Sequence, residues 1–382
     1  MKRTMIVKLL CAMLAMSLLS GCSFVQNLFP TKPQAQTPDF ESLVDFVIHA
    51  EEGKEFRILQ LTDIQLRDDS TCRFPDKLNF TDDTPLTEEE LYQDSFRYIE
   101  ELVERTKPDL IIMTGDNVAG YLDHNGFCFS KLVAFMDSLE IPWAPVFGNH
   151  DNESAMGVTW QCQQFENAEY CLFKRGEITG NGNYTIGVEQ GGKLIKVIYM
   201  MDSNGCWAGY YNENEPDFQY NQGEEIKITS GFGEDQIQWI KSTSAEIASK
   251  LHYAPSKFLA MHINIQEYAK AAISKGYMQN DETDRFVIDD PTGVDFGAKY
   301  ERFSGWSADG LWTMLKAYKF DGIFAGHQHW NNCSIVYEGV RLTFGTKTGF
   351  FDYYRDEMVG GTLITVAQGG ASFDVQHCYV EK

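Results

Sequence analysis

Five short apolar runs in this chain each stop at residues that can hold a metal or move a proton. Phe56-Arg57-Ile58-Leu59-Gln60-Leu61 leads into Asp63-Ile64-Gln65, and Asp109-Leu110-Ile111-Ile112-Met113 into Gly115-Asp116-Asn117. Pro145-Val146-Phe147 leads into Gly148-Asn149-His150-Asp151. Lys257-Phe258-Leu259-Ala260 is followed by Met261-His262, and Asp321-Gly322-Ile323-Phe324-Ala325 by Gly326-His327-Gln328-His329. Each run is strand-like, and an open α/β sheet carries its ligands at such strand ends. Hard or borderline divalent cations want carboxylate, carbonyl oxygen and imidazole. The pattern points to a metal-dependent hydrolase.

Between these runs the chain alternates strand-like and helical patterns. Thr87-Glu88-Glu89-Glu90 has the form of a capping box. Leu91, Phe96, Ile99, Leu102 and Val103 continue it as an apolar stripe near helical spacing, which predicts a helix from Thr87. A strand at 109–114, a helix around 129–139 and a strand at 143–147 follow. This βαβαβ order implies parallel strands joined by right-handed crossovers. Residues 183–189 and 193–200 flank Gln190-Gly191-Gly192, a hairpin signal. Residues 203–232 are irregular and aromatic, with Trp207, Tyr210, Tyr211, Phe218, Tyr220 and Phe232. Trp207, Tyr210 and Tyr211 can stack on a nucleobase or sugar at a cleft rim, or pack their loop onto the core; packing is the favoured reading. A helix at 234–251 restores the α/β rhythm, and a second polar insertion spans 276–306. Short strands at 332–337, 340–344, 361–367 and 372–380 are those expected of a second sheet. The expectation is an α/β sandwich of two mixed sheets packed face to face and flanked by helices.

The amino terminus reads as a targeting segment. Lys2, Arg3 and Lys8 precede an apolar stretch from Leu9 to Leu19, too short to span a membrane. It ends in Leu19-Ser20-Gly21-Cys22, which resembles the bacterial lipobox; in that class Cys22 is acylated and begins the mature protein. A signal over 1–21, a tether over 22–45 and one domain over 46–382 are therefore expected, anchored outside the cytoplasm through lipid on Cys22. The formal charge of −23 disfavours polyphosphate backbones, so nucleic acid is not expected as a partner. Of the nine cysteines, Cys11 leaves with the signal. The seven other than Cys22 are odd in number, so at least one is unpaired. Cys162 and Cys171 are close enough in sequence to close a small loop. Without a CxxC pair, a structural zinc site has no support.

Each cluster alone has a plain alternative. Asp63 and Asp116 suit turns, and a lone His262 is more often a satisfied core histidine. Gly148-Asn149-His150-Asp151 is more specific, because it puts an amide oxygen, an imidazole and a carboxylate on one tight turn. In Gly326-His327-Gln328-His329, two imidazoles at i and i+2 reach one cleft only with a bend, which Gly326 permits. Four of only eight histidines fall in these clusters, which argues against accident.

In this order the residues resemble the calcineurin-like metallophosphoesterase superfamily, whose pattern is D-x-H, G-D, G-N-H-(D/E), H and G-H-x-H. The likeness covers about residues 55–370. Met261–Tyr268 and Gly349-Phe350 are similar to its single-domain purple-acid-phosphatase-like branch. The resemblance implies two divalent cations, with Mn²⁺ the leading choice and Fe, Zn²⁺ or Mg²⁺ the others. Asp116 bridges them; Asp63, Gln65 and His329 complete the first, and Asn149, His262 and His327 the second. A bridging hydroxide then attacks the phosphorus of a small phosphorylated substrate. His150 protonates the leaving oxygen or stabilises transition-state charge. Asp151 either holds the His150 ring or caps a helix. Gln65 departs from the pattern, which usually has histidine there; a glutamine is similar to the Mn²⁺-dependent ADP-ribose/CDP-alcohol diphosphatases. The alternatives to a phosphomonoesterase are therefore a diphosphate or diester hydrolase and a catalytically silent binding lipoprotein. Oligomeric state stays open.

Overall fold

The computed structural model describes residues 39–67, 92–123, 125–154, 156–205 and 230–381. The signal segment, Cys22, most of the expected tether, the helix start at Thr87, Cys72, Cys206 and the aromatics from Trp207 to Tyr220 lie outside them.

The strands are β1 (Phe46–His49), β2 (Phe56–Leu61), β3 (Leu110–Thr114), β4 (Trp143–Val146), β5 (Tyr184–Gln190), β6 (Lys193–Met200) and β7 (Ser256–Ala260). They continue as β8 (Phe286–Val287), β9 (Ala298–Lys299), β10 (Phe320–Ala325), β11 (Ser334–Tyr337), β12 (Val340–Phe344), β13 (Gly360–Val366) and β14 (Phe373–Tyr379). The helices are α1 (Gln93–Thr106), α2 (Phe127–Ser138), α3 (Gly157–Asn167), α4 (Glu234–Leu251), α5 (Glu267–Ser274) and α6 (Leu311–Ala317).

Two mixed sheets result. One has the order β1-β5-β6-β7-β10-β12-β11 and the other β14-β13-β2-β3-β4, with β8-β9 a small separate ribbon. Strands β2, β3 and β4 pair in parallel, as their βαβαβ order requires. So do β6, β7, β10 and β12. The hairpin β5–β6 is antiparallel.

The period-2 alternation of each strand decides which layer a side chain enters. Along β7 and the residue after it, Phe258 and Ala260 join a core containing residues from both sheets, whereas Leu259 and Met261 join the core with α4, α5 and α6. On β6, Ile198 and Met200 take the first side and Val197 and Tyr199 the second. Two polar contacts link the sheets directly. The buried Gln60 amide on β2 donates to the Ala325 carbonyl on β10 at 3.1 Å, and the Tyr184 hydroxyl on β5 donates to the Pro145 carbonyl on β4 at 2.6 Å. Helix α1 presents Tyr98, Ile99 and Leu102 to the core. It ends at Lys107, left-handed at φ 47°, whose N–H closes the last turn on the Val103 carbonyl; Pro108 then prevents continuation.

Three expectations are corrected. The four carboxy-terminal strands do not make a sheet of their own: β11 and β12 extend the seven-stranded sheet, and β13 and β14 extend the five-stranded one. The reason is pairing partners, because β12 lies parallel to β10 while β13 lies antiparallel to β2. The compact unit starts at Asp39, not at residue 46, because Phe40 and Val44 are buried in the core with α4. Cys162 and Cys171 are both free thiols.

Candidate metal centre

The carboxyl ends of β2, β3 and β4 meet those of β7 and β10, and every cluster from the sequence arrives at this meeting place. Asp63 is buried after β2. Its carboxylate accepts the Thr62 hydroxyl at 2.8 Å and the His327 N–H at 3.0 Å through Oδ2, and lies 3.3 Å from His329 Nε2. Asp116 follows β3. Its Oδ2 lies 3.2 Å from His262 Nε2 and 4.0 Å from His150 Nε2, and its Oδ1 accepts the His150 N–H at 2.9 Å. Two ligand sets emerge, Asp116-His262-His327 and Asp63-Asp116-His329, each with its candidate atoms within 4.8 Å of one another. Asp116 belongs to both.

The local backbone is strained to achieve this. Asp63 (φ 52°), Gln65 (φ 50°), Asp116 (φ 51°) and His327 (φ 74°) all occupy the left-handed region. That region costs a non-glycine residue of order 1–3 kcal/mol and persists only where surroundings enforce it. The bend expected of Gly326 is therefore made by His327. Gly326 is needed for closeness instead: a Cβ there would lie 1.9 Å from Thr62 Oγ1. A Cβ on Gly148 would likewise lie 2.2 Å from Asp116 Oδ1.

The chemistry of the donors fits divalent cations. The His262 Nδ1–H donates to the Thr114 carbonyl at 2.8 Å and the His329 Nδ1–H to the Tyr353 carbonyl at 2.8 Å. Both bonds turn Nε2 toward the centre, the usual support for a metal-ligating imidazole. Burial alone would raise the Asp63 carboxyl, but the His329 hydrogen bond and charge bring it to about 2. Burial also opposes ionisation of Asp116, yet the charges of His262 and His150 hold it well below the usual carboxylate range. Burial and the adjacent His262 push His327 down to about 3. Asn149 Oδ1 is one of several buried side-chain polar atoms without a hydrogen-bond partner among the described residues. Orphaned buried acceptors are costly, and a cation would satisfy this one.

Asp151 does not do what the sequence suggested. Its Oδ2 accepts the Gly148 N–H at 2.7 Å and the Asn117 amide at 3.1 Å. Its Oδ1 accepts the Val118 N–H at 3.0 Å. It neither touches the His150 ring nor caps a helix, but ties the turn after β4 to the loop after β3. Burial and the charge of Asp116 raise its carboxyl to about 7. The partner of the His150 ring is Glu153, whose Oε2 accepts from Nδ1 at 2.8 Å. An i+3 carboxylate on the same turn was the available signal.

Sequence reading also missed Lys347. Its buried ammonium donates to Gln65 Oε1 at 2.5 Å and to the Asp63 carbonyl at 2.9 Å; burial lowers its pKa to about 8. Gln65 itself is fully buried, with Nε2 3.5 Å from Asp116 Oδ2, so its acceptor oxygen is spent on a lysine. The only forewarning of Lys347 is that β12 is parallel to β10 and so ends at the same edge.

Two mixed sheets carrying Asp, Asn and His at converging strand ends define an α/β protein with a candidate divalent-metal centre. The calcineurin-like phosphoesterase profile matches residues 56–331, and the chain belongs to that family. The Arabidopsis thaliana protein named "Probable inactive purple acid phosphatase 14" is 22% identical over 321 residues, 78% of this chain and 71% of that one. "Probable inactive purple acid phosphatase 28" from the same plant is 26% identical, covering 78% and 72%. "Phosphatase DCR2" of Saccharomyces cerevisiae is 29% identical over 57% of this chain and 36% of its own length. Among solved structures, a dimetal phosphatase from Danio rerio aligns over 84% of this chain and 98% of its own, at 11% identity and a TM-score of 0.46.

Proposed function

We propose that this chain is an active hydrolase of phosphate esters that works with two divalent cations. Asp116 would serve both, with Asp63 and His329 available to hold one and Asn149, His262 and His327 the other. The observation that carries the reading is the pair of ligand sets that share Asp116, Asp116-His262-His327 and Asp63-Asp116-His329, each with its candidate atoms within 4.8 Å of one another. When bound, the cations supply Lewis acidity toward water and toward the phosphoryl oxygens. The chain's own part is to fix acceptors and move one proton. His150, held at Nδ1 by Glu153, turns Nε2 toward Asp116, where it can deliver a proton to a leaving oxygen. Asp151 keeps the His150 turn at the distance that makes this possible.

The relatives named as inactive favour a second reading, a silent binding protein. The protein purified without residues 1–21 and supplied with Mn²⁺ separates the two. Hydrolysis of p-nitrophenyl phosphate, its bis-ester or ADP-ribose is expected, and the preferred substrate assigns monoester, diester or diphosphate chemistry. No turnover of any of them leaves the silent reading standing. Localisation outside the cytoplasm by lipid on Cys22 belongs to the same proposal, carried by Leu19-Ser20-Gly21-Cys22. Cys22→Ala is expected to release the protein from the membrane fraction, and retention there would rule the anchor out.

A further inference from the structure

The two halves of the centre are not equivalent, and the difference lies in a pair of side chains, Gln65 and Lys347. A carboxamide has one end that can ligate a cation and one that can only donate. At Asn149 the ligating oxygen is buried and unpartnered. At Gln65 the ligating oxygen accepts the Lys347 ammonium at 2.5 Å, and the donating nitrogen is the end nearer Asp116, at 3.5 Å. Lys347 is itself 2% exposed and is also held by the Asp63 carbonyl, so its charge is fixed against the same residue that would serve the first cation.

We propose that Lys347 is a positioning residue that withholds Gln65 from the first cation site, so that the two sites differ in affinity. The set Asp116, Asn149, His262 and His327 binds tightly. The set Asp63, Asp116 and His329 lacks a fourth side-chain ligand and faces a fixed positive charge, which repels a divalent ion in a poorly screened interior. It binds weakly and exchanges.

The inference rests on the reading that these clusters bind divalent cations, and one titration tests both. Metal-free protein is titrated with Mn²⁺ by calorimetry, with bound metal counted by elemental analysis. Two steps are expected, separated by at least tenfold in Kd. Lys347→Met, which keeps volume and removes charge, is expected to tighten the weaker step about tenfold and leave the tighter one unchanged. A merely structural loss would weaken both steps, so a selective gain is the signature. Gln65→Ala, which leaves Lys347 in place on the Asp63 carbonyl, is expected to move the weaker step by no more than about threefold. Two equal steps, no gain in Lys347→Met, or a tenfold loss in Gln65→Ala overturns the proposal while leaving the metal centre intact. Absence of Mn²⁺ binding to the unmodified chain overturns the centre and the proposal together. If Lys347→Met does not fold, the unmodified chain and Gln65→Ala still decide the matter.

Discussion

Glu153 holds His150 at Nδ1, 2.8 Å away, and so leaves Nε2 for the proton transfer proposed above. The two act as a unit, which fixes the order of expected losses. His150→Ala should lower kcat by about 10²–10⁴-fold, the usual worth of a positioned acid or base. Glu153→Gln should cost roughly 10–100-fold, as outer partners of site residues do. Metal content by elemental analysis should be unchanged in both. A His150→Ala enzyme with undiminished turnover would remove the histidine from the chemistry. The contrast with Asp151 shows where residue-level reading stops. His150 is flanked by acids at i+1 and i+3, and only the path of the turn decides which one reaches the ring. Lys347 was hidden for a related reason, since nothing in a lone lysine announces that it is buried.

At the level of elements, most of the architecture could be read because periodicity and punctuation agree. The helix at 234–251 and the strand at 340–344 have the limits their patterns predict, and Gln190-Gly191-Gly192 does join two antiparallel strands. Strand β1 went unseen because it is four residues long, only partly buried, and pairs with β5, far along the chain. Helices α3, α5 and α6 are likewise short segments, of 11, 8 and 7 residues, with little room for an apolar period to show. The turns that carry the centre have no periodicity at all, and their demands are steric. Gly326→Ala is expected to destabilise the fold by on the order of 1–3 kcal/mol, the range for forced overpacking, and to weaken metal binding, because the new methyl invades the space of Thr62 and Asp63. Denaturant unfolding alongside a metal titration checks this; a variant matching the parent in both would mean that the loop relaxes freely.

For the molecule as a whole, bound metal should add stability through mass action, about 2.7 kcal/mol for one site at a hundred times its Kd. Chelation is therefore expected to lower Tm and excess Mn²⁺ to raise it; a Tm indifferent to both would tell against ions bound only by the folded state. The parts of the centre come from different sheets. Asp63, Asp116 and Asn149 follow β2, β3 and β4, while His262, His327 and His329 follow β7 and β10. A cation seated among them is thus a rivet through two plates, closing a loop that runs from Asp63 to His329. Gln60 to Ala325 and Tyr184 to Pro145 are the seams that hold without it. Drawing the rivet should loosen the plates against each other before either one frays. In hydrogen exchange, the metal-free protein should lose protection first at the strand ends around the centre, on both sheets together, while the helix-backed middles of the strands stay closed.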